Sequence, residues 1–108
     1  EYLDLKKGTY STSFQSRVSI IGSWLKPYTD KTVSSFAKKG TKELAIATPA
    51  FISDCLETLE EIGMEAAEDF EEKGGKKLHV IPCINDRDDW VKVLSRWIDE
   101  WALTAVEI

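Results

Sequence analysis

Glu57, Glu61 and Glu65 recur every four residues within a stretch, positions 54–72, that holds nine of the chain's nineteen acids and no lysine or arginine. At about 3.6 residues per turn, such a set forms one slowly rotating row of carboxylates on a helix. A wider π turn would line the three up more closely, and such bulges favour functional sites. A carboxylate row can pass a hard divalent cation along oxygen ligands, or accept and relay protons. The same spacing also describes an ordinary solvated helix face, favoured at its start by charge–dipole attraction. Spacing alone leaves both readings open.

Other reactive side chains are few. Cys55 lies two residues before Glu57 and has no basic neighbour in sequence to lower its pKa, so it reads as a small packing residue rather than a nucleophile. Cys83 closes an apolar run and reads the same way, and two such distant cysteines make no zinc or iron–sulfur motif. They read as reduced thiols, in keeping with a reducing compartment. His79, the only histidine, falls inside an apolar run and reads as a sheet residue, not a ligand or base. Trp24 stands apart from Trp90, Trp97 and Trp101. It sits in a loop before Pro27, where exposed aromatic surface signals a ligand or partner, whereas the other three share helical spacing.

These residues need elements to position them. Residues 9–15 alternate roughly (Tyr10, Thr12 and Phe14 on one face) and predict a strand; residues 44–48 and 78–81 are short apolar runs closed by Pro49 and Pro82. Short continuous runs of this kind predict strands covered on both faces. Between them lie three helical patterns. The first starts at Thr29 or Asp30 and stops at Gly40, and the second spans residues 53–73 and stops at Gly74-Gly75. The third opens at Asn85 or Asp86, with Trp90, Leu94, Trp97, Ile98 and Trp101 as its inward stripe. Residues 1–5 read as the end of a preceding helix. Alternation of strands and helices predicts an α/β fold, a three-layer parallel sheet with helices on both faces. Ligands of such sheets bind beyond the carboxyl ends of the strands, which places a site at residues 16–24 and 51–61.

The 108 residues predict a single domain, and the net charge of −5 argues against nucleic acid. No run of residues has the length and apolarity of a membrane span. The chain opens at Glu1 and its single methionine is Met64, which reads as a piece of a longer protein.

Three segments resemble the ferrochelatase family. Residues 13–30, SFQSRVSIIGSWLKPYTD, resemble the family form FQS(R/K)-G-x-x-W-L-x-P-x-T-D. Residues 48–63, TPAFISDCLETLEEIG, resemble its signature P-x-(A/S)-F-x-S-(D/E)-x-x-E-T-L-x-E-(I/L), and IPCIND at 81–86 resembles the start of its last helix. Two departures stand out: S-I-I-G-S before Trp24 replaces the common G-P-x-P, and Cys55 stands where many members carry histidine.

The resemblance implies a chelatase-like fold, residues 1–108 being part of the second of two similar domains with a porphyrin cleft between them. It implies a lyase that inserts ferrous iron into a porphyrin in haem biosynthesis, inactive alone because the first domain and its catalytic histidine are absent. The alternative is a non-catalytic porphyrin- or metal-binding domain of the same fold. By resemblance Glu57 and Glu61 are catalytic, Glu57, Glu61 and Glu65 contact the metal, and the acidic helix is partly π-type. Trp24, Phe51, Gln15 and Ser16 lie on the porphyrin side. No cofactor beyond the substrate iron is expected, and no iron–sulfur cluster. The implied partners are porphyrin, ferrous iron and the N-terminal domain; the implied location is a bacterial cytoplasm, with contact to the membrane surface where the hydrophobic substrate resides, and the mitochondrial matrix is the less favoured alternative.

Overall fold

The computed structural model describes residues 3–17 and 22–105. Its order is helix α1 (Thr29–Lys38), strand β1 (Glu43–Ile46), helix α2 (Leu56–Leu59), a π-helical segment (Glu61–Ala66), helix α3 (Ala67–Glu72), strand β2 (Lys77–Val80) and helix α4 (Asp88–Ala105). The expected α/β alternation is present, with two parallel strands in register Leu44↔Leu78 and Ile46↔Val80.

Helix α1 opens one residue earlier than a Thr29 cap requires and two earlier than an Asp30 cap. Tyr28 is the flanking residue, and the Thr29 hydroxyl is turned inward to Ser13 Oγ at 2.9 Å. Asp30 in the first turn still complements the helix dipole. Gly40, at φ 93°, ends the element where a side chain would be strained.

The core is small: Val33 and Ala37 from α1, Ile62 and Phe70 from the second helical stretch, and Leu78 from β2. Leu44, Ile46 and Val80 pack against it from the strands. Thus α3 and the π-helical segment pack on one face of the sheet through β2, and α1 packs in turn on α3. The other face carries Glu43, Ala45, Lys77 and His79, all exposed, with His79 Nε2 2.9 Å from Glu43 Oε2. His79 is therefore a sheet-surface residue, as its position in the run suggested.

Several expectations are corrected. Residues 9–15 form no strand: only Phe14 makes a bridge, to Tyr28, through Phe14 N–H to Pro27 O (2.8 Å) and Thr29 N–H to Phe14 O (3.0 Å). The polar stretch Ser11-Thr12-Ser13 offers the sheet little apolar surface, and a groove of about 350 Å³ separates it from β1. A three-layer sheet with helices on both faces is accordingly absent among the described residues. Leu3, Asp4 and Leu5 are not helical, and residues 1 and 2 lie outside the described residues. Helix α4 begins at Asp88 rather than Asn85 or Asp86, and none of its residues is buried. Its expected inward stripe is open, with Trp97 51% and Trp101 70% exposed. Leu56 and Leu59, at helical spacing with Ile62 and Phe70, are exposed as well.

Candidate active site: a carboxylate row locked to a loop

The acidic helix is continuous from α2 through the π segment into α3. Where the π closure operates, Glu65 N–H reaches back to Glu60 O at 2.9 Å, five residues away. More than four residues then complete a turn, so side chains four apart stack more closely than on an α-helix. Glu57, Glu61 and Glu65 all line one cleft of about 760 Å³ between this helix, α1 and residues 14–17. The π turn expected for this helix is thus present, and the carboxylate row has a cleft of its own.

Residues 15–17 meet this row directly. Ser16 donates its backbone N–H to Glu61 Oε1 (2.7 Å) and its hydroxyl to Glu61 Oε2 (2.6 Å), so both carboxylate oxygens are held by one residue. Such charge-assisted bonds are about twice as strong as neutral ones. Ser16 sits at φ 60°, a left-handed conformation in which its N–H and Oγ both face the helix. Gln15 Nε2 donates to the Glu57 carbonyl at 2.8 Å, and the Trp24 indole N–H donates to the Gln15 carbonyl at 3.3 Å. Five of the seven sequence-predicted residues are therefore joined in one hydrogen-bonded thread, with Trp24 (38% exposed) at the rim. Glu65 completes the row without joining the thread. Phe51 is not brought in: it lies half-buried in the turn after β1, its N–H on Thr48 O at 2.9 Å, and it does not line the cleft. Of the S-I-I-G-S departure, residues 19–21 lie outside the described residues.

Cations close the cleft at its edges. Arg17 stacks over the Tyr28 ring at 4.7 Å, and Lys73 pairs with Asp69 while also reaching Ser34 Oγ at 3.2 Å. Among the described residues no group of three or more His, Cys, Asp and Glu side chains converges tightly enough to hold a metal ion. The row is a wall along which a cation could be passed, not a closed metal cage.

The start of the helix is the part that sequence reasoning missed. Asp54 accepts hydrogen bonds from Asn85 Nδ2 (2.8 Å) and Thr58 Oγ1 (2.9 Å), which hold its carboxyl below the ordinary range against the opposing effect of burial. The Cys55 thiol, followed by Glu57's own backbone N–H, holds the Glu57 carboxyl low in the same way. Cys55 and Cys83 are both free thiols. Groups whose folded pKa is depressed stabilise the fold above their unfolded values, roughly 3.9–4.3, and that contribution is lost as pH falls through the lower folded values. Acid titration followed by circular dichroism is therefore expected to show loosening below about pH 4, and Asp54→Asn should flatten that limb. An acid transition unchanged by Asp54→Asn would contradict the assignment.

Comparison with known proteins gives the family of the chain. The ferrochelatase family model matches residues 1–102. The chain is 52% identical over 96 residues to a ferrochelatase of Rhizobium johnstonii, covering 89% of this chain and 28% of that protein. It is 46% identical over 93 residues to a ferrochelatase of Pseudomonas putida, covering 86% and 27%. The chain thus spans less than a third of the length of these curated relatives. No solved structure matches. On the family match and the aligned relatives together, the chain belongs to the ferrochelatase family.

Proposed function

We propose that this chain is the carboxylate-bearing C-terminal part of a ferrochelatase, a lyase that inserts ferrous iron into a porphyrin in haem biosynthesis, and that it is incomplete alone. One observation carries this reading: a thread of hydrogen bonds joins the rim aromatic Trp24 through Gln15 to the backbone of Glu57, while Ser16 grips Glu61 on the same cleft. In the reaction a free-base porphyrin loses two N–H protons and gains Fe²⁺. Glu57 accepts a proton from a pyrrole nitrogen, and Glu61 takes up the second once Ser16 lets it go. Oxygen ligands from Glu57, Glu61 and Glu65 hand the hard cation along the row in the opposite direction. Trp24 stacks on the ring, with Gln15 and Ser16 setting the loop beside it, so that binding energy holds the macrocycle out of plane. Phe51 contributes to the porphyrin side only if the turn after β1 moves. The iron is substrate, and no resident cofactor takes part.

The apolar stripe of α4 supports the second half of the reading. A surface of this kind is buried against something in a working protein, and here the partner is the N-terminal domain. The setting we assign is a bacterial cytoplasm, with the cleft mouth near a membrane surface. No helix among the described residues is long and apolar enough to cross a membrane.

The test is direct. The full-length protein, titrated with a porphyrin, is expected to show quenching of tryptophan fluorescence that is reduced in Trp24→Phe, and to insert Fe²⁺ at a measurable rate. Binding without turnover would select the second reading, a non-catalytic porphyrin or metal binder, which the double engagement of Glu61 by Ser16 favours. No porphyrin response would dismiss both.

A further inference from the structure

Asn85 lies in the turn between β2 and α4, away from the cleft, yet its side chain is committed to a single neighbour. Its Oδ1 accepts the Asp54 backbone N–H at 2.8 Å, and its Nδ2 donates to Asp54 Oδ2 at 2.8 Å. Its own backbone N–H reaches the Ile52 carbonyl at 2.9 Å. Three hydrogen bonds thus join the loop after β2 to the loop after β1, just ahead of the helix that carries Glu57. The backbone at Asn85 is left-handed, φ 53°, a conformation that asparagine tolerates far better than bulky residues do.

Asp54 passes the constraint on. Its Oδ1 accepts from Thr58 Oγ1 at 2.9 Å, and the same Thr58 oxygen accepts the Cys55 N–H at 3.0 Å. Thr58 is 1% exposed and cannot turn away. Residues on both sides of Glu57 are therefore tied to Asp54, which is tied in turn to Asn85. From the opposite direction Gln15 holds the Glu57 carbonyl.

We infer that Asn85 is a positioning residue for iron insertion: acting through Asp54 and Thr58, it fixes the first turn of α2 and so the place of the Glu57 carboxylate at the cleft. This rests on the reading of Glu57 as the proton-accepting carboxylate. A carboxamide suits the task because it offers one acceptor to the Asp54 amide and one donor to the Asp54 carboxylate. A hydrocarbon of the same size offers neither and would leave polar groups unpaired. A carboxylate in its place would face Asp54 as a like charge, until the two share one proton and an O–H takes over the donor's part.

The experiment uses the full-length ferrochelatase with Asn85→Gly and Asn85→Asp, measured by steady-state iron insertion. Glycine tolerates the left-handed backbone and removes the side chain that carries the amide. Its kcat is expected to fall about tenfold to a hundredfold, the scale of a small misplacement of a catalytic group, with the porphyrin KM within about twofold. For Asn85→Asp, the ratio of its kcat to that of the parent is expected to rise about tenfold from pH 8 to pH 6, as a shared proton rebuilds the donor–acceptor pattern. A merely structural role would lower the melting temperature without producing this pH-dependent recovery, and would overturn the inference. So would parental kcat in both variants. Should the glycine variant fail to fold, the pH ratio of Asn85→Asp decides alone. If the parent itself inserts no iron, the reading of Glu57 has failed; if the parent is active and the variants behave like it, only the role of Asn85 has failed.

Discussion

Glu57→Gln in the full-length ferrochelatase is expected to lower the rate of iron insertion by about 10²–10⁴-fold, the usual contribution of a positioned general base. Porphyrin affinity should stay near that of the parent. The replacement keeps the size and polarity of the side chain, and the Gln15 contact survives because it is made to the backbone carbonyl of residue 57. What disappears is a proton acceptor on the exposed cleft wall. The comparison with Glu61→Gln sharpens the test. Both Glu61 oxygens accept hydrogen bonds from Ser16. A carboxamide would present an N–H to one of those donors, so this variant should disturb the loop at residues 15–17 as well as the chemistry. Porphyrin titrations would then move for Glu61→Gln and not for Glu57→Gln. Parental turnover in Glu57→Gln would remove the central assignment.

The second large effect concerns the fold. Phe70 is 0% exposed and, among the described residues, is the largest fully buried side chain in a buried core of five. Phe70→Ala is expected to destabilise the protein by about 3–5 kcal/mol, a large share of the roughly 5–15 kcal/mol that holds a typical domain together. Gly75 is what lets the ring fit. A Cβ at that position would lie 2.3 Å from two carbons of the Phe70 ring, while the Gly75 N–H is bonded to the Phe70 carbonyl at 2.9 Å. Neither group has room to withdraw, so Gly75→Ala should cost about 1–3 kcal/mol by overpacking. Combined with Phe70→Leu, it should cost less than the sum of the two single changes, because the smaller side chain vacates the space. Denaturant melts of the three variants measure this; strict additivity would mean that glycine is needed at position 75 for some other reason.

Much of this was legible in the residues. The four-residue period of Glu57, Glu61 and Glu65 located the row, and the resemblance located the π turn and the loop that grips it. The runs 44–48 and 78–81 are apolar enough to suggest cover on both faces, but each strand opens one residue earlier. Glu43-Leu44-Ala45-Ile46 and Lys77-Leu78-His79-Val80 place a polar or small residue at every second position, which is the pattern of strands with one wet face. The stripe on α4 was correctly apolar, but periodicity shows only that a face wants burial and not that a partner is at hand. The role of Asn85 was hidden for a different reason. Its partner Asp54 lies 31 positions away, and a clamp between two loops leaves no period to read. The one local signal was an aspartate four residues before the threonine whose hydroxyl it binds.

The outer edge of β1 has a consequence of its own. Among the described residues the sheet ends there, with four residues of backbone that pair on one side only. Bare strand edges invite a second chain to add on, and natural proteins discourage this with charge and brevity. Glu43 supplies the charge, Lys42 stands beside it, and the strand is short. The residue that partners His79 on the wet face is therefore also a gatekeeper against fibrous association.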